Sequence, residues 1–348
     1  MPWSRFDQSY VAPTGGRQIT FCEALREGID QSMRNDPRVF AIGLDADDKF
    51  GVFGSMSGLT HPERVLGTPI SENAMTGVAL GAALSGLRPI HVHLRVDFLL
   101  TAMDQLVNYV AKWQDMFGRQ QKVPIVIRAI VGRGWGCGAQ HSQTLHGWFA
   151  HIPGLKVVTP ATPYDAKGLL CAAVADDSPV VFLEHRWLYK NQGPVPSELY
   201  TLPLGVANTL HHGDKLTVVA SSLAAVHALT AVQQHGLDVD LIDPRTIKPL
   251  DIDSITASVR RTGRLLVVDH DFPFGGFGAE VVAQVTERAF ASLTRPPLRI
   301  GFPDRGMPSS GILERAYYPT QDRLAAAMQA LIAGDVVARD LADEVVAS

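Results

Sequence analysis

Short apolar runs recur along this chain and alternate with longer segments that have the spacing of amphipathic helices. The runs are rich in valine and isoleucine and lack the polar alternation of a half-exposed strand. Continuous apolar runs of this length are typical of strands buried on both faces of a parallel sheet. They are Val39–Ile42, Ile90–Leu94, Pro124–Ile130, Leu155–Val158, Val180–Glu184, Leu216–Ala220, Val239–Ile242 and Arg264–Asp269. Strands that alternate with helices in this way predict an α/β fold of doubly wound sheets.

The spacing of apolar residues also predicts helices and a division into domains. Helical patterns cover Thr20–Met33, Glu72–Leu84 and Asp97–Met116. In the last of these, apolar residues at intervals of three and four predict one stripe on a continuous helix: Phe98, Ala102, Leu106, Val110 and Trp113. The proline-rich stretch Tyr189–Leu204 follows a complete strand and lacks a period. It separates two predicted domains, residues 16–190 and 205–335.

Charge and cysteine usage argue against several classes of partner and location. The 31 basic and 35 acidic residues are interspersed and give a net charge of −4, which argues against nucleic acid or an anionic membrane as the main partner. No apolar run approaches the ~20 residues that a membrane span needs. The three cysteines, Cys22, Cys137 and Cys171, are widely spaced, as expected in a reducing compartment. A cytoplasmic protein is predicted.

Two segments carry candidate chemistry. Thr68–Gly86 leads through Ser71 into a glycine- and alanine-rich helix with Glu72 in its first turn. By spacing alone, this carboxylate is most simply a partner of the helix dipole. Arg128–Phe149 places four glycines in seven residues directly before His141. Because such a loop costs chain entropy on folding, it indicates a substrate or cofactor loop that displays His141, with a long irregular turn as the alternative.

A row of basic side chains occurs on one predicted strand. His91, His93 and Arg95 alternate in the run IHVHLRVD, so on a strand they share one face. Such a row either lines a cleft that receives an anion or meets a partner chain. The GGFGAE run at 275–280 is most simply the start of a helix, because a lone match to a dinucleotide fingerprint is weak.

Four segments occur along the chain in this order: TPISENAMTGVALGAALSGLRPI, AMDQLVNYVAKW, GAQHSQTLHGWFAHIPGLKVVTPATPYDAKGLL and SPVVFLEHRWLY. Together they resemble the β subunit of the thiamine-diphosphate-dependent E1 component of 2-oxoacid dehydrogenases. The resemblance implies a pyrimidine-binding domain followed by a transketolase C-terminal-like domain. It also implies oxidative decarboxylation of a 2-oxoacid such as pyruvate, with acyl transfer to a lipoyl E2. The alternative is a split transketolase-like carboligase that delivers a ketol or acyl unit to an aldehyde or a carrier thiol.

The same resemblance assigns roles to single residues. Glu72 corresponds to the glutamate that bonds N1′ of the cofactor's aminopyrimidine, and its role there outweighs the helix-dipole interpretation. Phe98 corresponds to a ring placed against the aminopyrimidine, and Thr101 lies where pyruvate-type chains have a glutamine near the cofactor. His141 corresponds to the family's histidine for acyl transfer or positioning of the intermediate.

The resemblance further implies bound ions and partner chains. A potassium ion would be held by Ile125, Ala173, Asp176 and Ser178, the last in place of an asparagine in some relatives. The family's Gly-Asp-Gly motif for the cofactor's diphosphate and Mg²⁺ is absent from this chain and belongs to a separate α subunit. An α2β2 heterotetramer, with β–β association, is therefore predicted.

Overall fold

The computed structural model describes residues 15–132 and 136–335. The chain forms two compact units. One contains the described residues up to Val131 together with Trp148–Leu204. The other contains the described part of Gly132–Gly147 together with the residues from Gly205 onward. The segment that bears His141 therefore groups with the carboxyl-terminal part of the chain. The division into domains at 16–190 and 205–335 stays a prediction from the sequence.

The secondary structure alternates between strands and helices in both units. The strands are β1 (Gln18–Thr20), β2 (Val39–Gly43), β3 (Val65–Gly67), β4 (Arg88–His93), β5 (Val126–Val131), β6 (Lys156–Val158), β7 (Val180–His185), β8 (Gln192–Pro194), β9 (Asn208–His211), β10 (Leu216–Ala220), β11 (Val239–Asp243), β12 (Thr246–Lys248), β13 (Leu265–Val268) and β14 (Leu298–Ile300). The α-helices are α1 (Phe21–Asn35), α2 (Glu72–Leu84), α3 (Val96–Leu99), α4 (Trp113–Met116), α5 (His146–His151), α6 (Pro163–Ala175), α7 (Ser222–His235), α8 (Ile252–Thr262), α9 (Phe277–Ala289), α10 (Gly311–Tyr317) and α11 (Gln321–Ala333).

The first unit is built on a parallel sheet with the strand order β6-β7-β5-β4-β2-β3. Every residue of β4, β5 and β7 is buried, as expected where both faces of a sheet are covered. Strands β1 and β8 form a separate antiparallel pair. The predicted strands of this unit are confirmed, because their continuous apolar runs occupy the buried positions.

The second unit has a sheet of order β14-β13-β10-β11-β9. Its pairs are parallel except that β9 runs antiparallel to β11. Strands β10, β11 and β13 are buried throughout, and they coincide with the predicted apolar runs. The α/β fold class predicted from the sequence is confirmed for both units.

The predicted helix over Asp97–Met116 is divided in the structure. Helix α3 passes into a 3₁₀ turn at Leu100–Ala102, a π-helix over Asp104–Val110 and then α4. In the π-helix, the N–H of Ala111 donates to the carbonyl of Leu106 across five residues instead of four. Of the predicted stripe, Ala102, Leu106 and Val110 are fully buried. Phe98 stays 38% exposed.

A buried ion pair joins two central strands of the first unit. Arg128 on β5 donates from Nε to Glu184 Oε2 at 3.0 Å and from Nη2 to Oε1 at 2.7 Å. The Tyr189 hydroxyl donates to the same Oε1 at 2.6 Å. Burial would lower the pKa of Arg128, but the Glu184 carboxylate outweighs it and raises that pKa. Both charged side chains are completely buried, so each depends on the other for compensation.

We expect Glu184→Gln to lower the free energy of unfolding by about 3–5 kcal/mol, because it leaves a buried guanidinium without its counter-charge. Asp115→Asn is the control, since it removes an ion pair with Arg119 whose side chains are 56% and 81% exposed. Chemical denaturation of the two variants beside the wild type measures the difference. Equal denaturation midpoints for both variants would contradict this role of the pair.

Candidate active site

The first unit has a pocket at the carboxyl ends of three neighbouring parallel strands, β3, β2 and β4. This is the edge of an α/β sheet at which ligands usually bind. The pocket contains one carboxylate, two imidazoles and otherwise mainly apolar side chains. Its lining residues are Leu44, Thr68, Pro69, Ser71, Glu72, Met75, His91, Val92, His93, Leu94 and Phe98.

Three of the predicted site residues lie together at this pocket. Glu72 is the first residue of α2, and Phe98 lies on α3. The Thr101 hydroxyl donates to the Phe98 carbonyl at 2.8 Å and lies 3.5 Å from Glu72 Oε2. Because a hydroxyl carries one proton, the shorter contact takes it and leaves the Glu72 oxygen to accept from a ligand. Ser71 occupies the N-cap position of α2, but its side chain makes no capping hydrogen bond.

The two histidines of β4 are buried and neutral. His91 and His93 are 2% and 3% exposed, and their ring centroids are 4.3 Å apart. Burial lowers the pKa of His91 to about 4 and holds the pKa of His93 well below its usual value. The rings therefore add no positive charge to the pocket at pH 7. The two histidines do not form a charged row that would attract an anion.

The hydrogen bonds of the two histidines differ. His91 Nδ1 donates to the Ile42 carbonyl at 3.1 Å, and its Nε2 lies 3.1 Å from the Thr76 hydroxyl, whose own proton goes to the Glu72 carbonyl at 2.7 Å. His93 Nε2 has no hydrogen-bond partner among the residues that the structure describes. A buried polar atom of this kind is costly unless a ligand or water satisfies it. His93 is therefore a second polar group, besides Glu72, that a ligand in the pocket can meet.

The structure places His141 in the other unit, separately from Glu72, Phe98 and Thr101. It ends a 3₁₀ turn, Ala139–His141, in which its N–H donates to the Gly138 carbonyl at 3.3 Å. Its side chain is partly exposed. The preceding glycine-dense stretch is only partly within the described residues.

A buried charged cluster on the same segment was missed at the sequence level. His146 Nε2 lies 2.9 Å from Asp269 Oδ1, and its Nδ1 lies 3.9 Å from Asp271 Oδ2. Burial would lower the pKa of His146, but the two carboxylates outweigh it and raise that pKa to about 9. The available signal was the pair of aspartates that directly follows the strand Leu265–Val268, where side chains meet at the carboxyl edge of a sheet.

The residues predicted to hold potassium lie outside the pocket: Ile125 directly precedes β5, Ala173 and Asp176 lie at the end of α6, and Ser178 lies between α6 and β7. The Ile125 carbonyl accepts from the Val180 N–H at 3.0 Å, and the Ala173 carbonyl accepts from the Asp176 N–H at 3.3 Å. Asp176 Oδ1 accepts from the Ser178 N–H at 2.8 Å, and Oδ2 pairs with the Lys156 ammonium at 2.5 Å. Among the described residues, no cluster of three or more histidine, cysteine, aspartate or glutamate side chains forms a metal site. Nor is any described helix long and apolar enough to cross a membrane.

Comparison with known proteins identifies both halves of the chain. Residues 17–192 match the transketolase pyrimidine-binding domain, and residues 205–324 match the transketolase C-terminal domain. The β subunit of acetoin:2,6-dichlorophenolindophenol oxidoreductase from Cupriavidus necator is 40% identical over 333 residues, which cover 91% of this chain and 98% of that protein. The mitochondrial pyruvate dehydrogenase E1 component subunit beta-2 of Oryza sativa is 40% identical over 326 residues, 91% of this chain and 87% of that protein. The chain belongs to the transketolase-like family of E1 β subunits.

Membership of the E1 β family confirms the predicted resemblance and the two predicted domain types. The family implies thiamine diphosphate as the cofactor. Among solved structures, an inactive beta4 tetramer of a split-gene transketolase matches with a TM-score of 0.71 over 92% of this chain and 99% of that chain. At 22% identity this match shows the fold alone. The 40% identical relatives favour the E1 β prediction over the split transketolase alternative.

Proposed function

We propose that this chain is the β subunit of a thiamine-diphosphate-dependent 2-oxoacid dehydrogenase E1 and supplies the pyrimidine-binding half of its active site. The observation that carries the proposal is the pocket that Glu72 and the partly exposed Phe98 line together, in a chain 40% identical to an E1 β subunit. The substrate is a 2-oxoacid such as pyruvate, and the acyl acceptor is a lipoyl group on a separate E2 protein. In this proposal the chain consists of a pyrimidine-binding domain at 16–190 and a transketolase C-terminal-like domain at 205–335.

The donor groups of the pocket fit an aminopyrimidine ring. Glu72 offers a carboxylate for a ring nitrogen, and Phe98 offers an aromatic surface that is 38% exposed. Apolar neighbours such as Met75 and Leu94 complete a wall suited to a flat heterocycle. When bound, thiamine diphosphate supplies the electron sink for decarboxylation. Thr101 supports the site through its contacts with the Phe98 carbonyl and the Glu72 carboxylate.

Glu72 is the residue that would move a proton. A carboxyl group hydrogen-bonded to N1′ of the pyrimidine shares its proton with that nitrogen and so sets the tautomer of the ring's amino group. The start of α2 holds this carboxyl at the pocket rather than in bulk solvent. An amide at the same position keeps the size of the side chain and loses the acid–base function.

His141 is the second proposed catalytic residue. An imidazole can accept or donate a proton, which suits transfer of an acyl group to an acceptor thiol. Its place on a short turn rather than inside a helix leaves the side chain partly exposed. This supports a role toward substrate or acceptor rather than in the core.

The other half of the site belongs to a partner. The sequence contains no Gly-Asp-Gly run, so the diphosphate and Mg²⁺ would be held by an α subunit that carries this motif. Two α and two β chains form the proposed heterotetramer, with contacts between the β chains. The cofactor then lies at an interface and is held from both sides.

We further propose that Ile125, Ala173, Asp176 and Ser178 hold a potassium ion. The groups in question are backbone carbonyls and a carboxylate, the oxygen donors that a hard cation takes. Each carbonyl named above accepts one hydrogen bond and keeps a second lone pair. The Lys156 ammonium offsets part of the Asp176 charge, which favours a monovalent ion over a divalent one.

We expect Glu72→Gln to lower turnover about 10²–10⁴-fold in the reconstituted α–β complex, because the shared proton is lost while the pocket keeps its shape. Turnover is measured in two assays that use 2,6-dichlorophenolindophenol as the electron acceptor. One follows decarboxylation of pyruvate and the other follows oxidation of acetoin. Glu63→Gln is the control, since that side chain is 66% exposed and outside the pocket. Full activity of Glu72→Gln in an intact complex would reject the mechanism.

Calorimetric titration tests the divided site. The isolated chain is expected to show no tight binding of thiamine diphosphate with Mg²⁺, and tight binding is expected once the Gly-Asp-Gly-containing α chain is added. The reason is that the diphosphate carries most of the charge and its ligands lie on the partner. Tight, Mg²⁺-dependent binding by the isolated chain is the outcome that rules out an interface site.

Thermal unfolding in potassium, sodium and choline chloride at equal ionic strength tests the cation. Potassium is expected to raise the midpoint selectively, because a ligand that binds only the folded state stabilises it by mass action. The increase should persist in Lys156→Ala and vanish in Asp176→Asn. Identical midpoints in all three salts for the wild type would refute the potassium site.

A further inference from the structure

The segment 136–147 carries His141. Its amino-terminal end is hydrogen-bonded to Glu314, a residue of the same unit. The N–H of Gly136 donates to Glu314 Oε2 at 3.1 Å, and Glu314 is a buried residue of α10. Gly136 has a φ of +76°, and a Cβ atom there would lie 2.6 Å from the Ser309 carbonyl oxygen. A residue with a side chain would therefore have to displace the segment from this position.

On its carboxyl-terminal side, the segment is attached by His146. This imidazole contacts both carboxyl oxygens of Asp269, at 2.9 and 3.0 Å, and faces Asp271 at 3.9 Å. The Phe277 ring meets it edge-on at a centroid distance of 6.2 Å. The side chains of His146, Asp269 and Asp271 are no more than 7% exposed, so water screens their attraction very little.

His146 is charged in this arrangement at neutral pH. Burial acts to lower its pKa, but Asp269 and then Asp271 outweigh burial and raise that pKa to about 9. These two aspartates are the titratable groups that act on the ring. The Asp271 carboxyl is also engaged by the Phe272 N–H at 2.9 Å and by the N–H of Gly147, next to His146. The attachment thus combines a buried ion pair with a backbone contact.

We propose that His146 is a positioning residue: its ion pair with Asp269 and Asp271 holds the segment 136–147 in place and thereby holds His141. His141 lies between the Glu314 and Asp269 attachments, five residues before His146. Within the segment, the Gly138 carbonyl accepts from the His141 N–H, which links His141 to a residue two positions from the attached Gly136. The proposal rests on the function proposed above for His141.

Two variants of the reconstituted complex, His146→Gln and Asp269→Asn, test the attachment itself. The rate of hydrogen–deuterium exchange in peptides from residues 136–147 is expected to rise at least 10-fold in both variants. Where exchange is measured at more than one pH, the labelling times are corrected for the intrinsic exchange rate at each pH. His151→Gln is the matched control, because His151 is an exposed histidine on the same helix, α5. Glu314→Gln, which acts at the other attachment, provides a second route if His146→Gln does not fold.

The pH dependence separates a positioning role from a merely structural one. The pKa of the ring is raised on folding from 6.5 to about 9, so the imidazolium contribution is fully present below about pH 6.5 while the aspartates stay ionised, and it is lost as pH rises through about 9. In the wild type, kcat is expected to fall through that range while the KM for substrate changes little. Asp269→Asn should move this alkaline limb of the kcat profile, in which kcat falls, to lower pH. The reason is that the main negative charge that favours the imidazolium is removed. His146→Gln should have a kcat that is at least 10-fold lower at pH 7 and lacks the limb.

Two results would overturn the proposal. One is unchanged exchange of residues 136–147 in both variants, and the other is faster exchange with an unchanged kcat and an unchanged alkaline limb. Neither depends on Glu72, so the proposed E1 function is judged separately by Glu72→Gln. If Glu72→Gln loses turnover while the His146 variants keep it, the function stands and the positioning role fails.

Discussion

A parallel sheet presents the carboxyl ends of all its strands at one edge, and the candidate site depends on that constraint. In the first unit, β3, β2 and β4 are neighbours in the sheet and end side by side. Glu72 follows the first of these strands and Phe98 follows the last, although 26 positions separate them in sequence. Strand β4 is buried throughout and β2 at all but one residue, which limits how far this part of the edge can deform. The buried Arg128–Glu184 pair ties β5 to β7 within the same sheet.

Burial lowers the pKa of the buried histidines in both units, and neighbouring carboxylates decide which of them stays charged. Burial is the largest influence on the pKa values of His91 and His93, and the Ile42 carbonyl and the Glu72 carboxylate do not reverse it for His91, so both rings stay neutral. His146 is as deeply buried, but two aspartates reverse the outcome and keep it charged. A neutral imidazole suits hydrogen bonding to a heterocycle. A charged one beside two carboxylates suits attachment of a chain segment.

The fold could be predicted from the sequence because short continuous apolar runs that alternate with helices are typical of strands buried on both faces of a parallel sheet. Glu72, Phe98, Thr101 and His141 were singled out through their motifs, and the structure brings the first three together. The divided helix over Asp97–Met116 was not predictable, because a π-helix keeps the same residue types and changes only the turn. The neutral state of His93 depends on surroundings that no local pattern shows. His146 and Asp269 were missed because 123 positions separate them and only the folded chain joins them.

The central claim is that this chain holds the pyrimidine end of thiamine diphosphate while a partner chain holds the other end. The most direct measurement is an experimental structure of the chain with its Gly-Asp-Gly-containing partner, Mg²⁺ and thiamine diphosphate. The claim predicts a Glu72 carboxyl oxygen within about 3 Å of N1′ and the diphosphate bound by partner residues. A pyrimidine ring bound away from Glu72, or a diphosphate held by this chain alone, would contradict it.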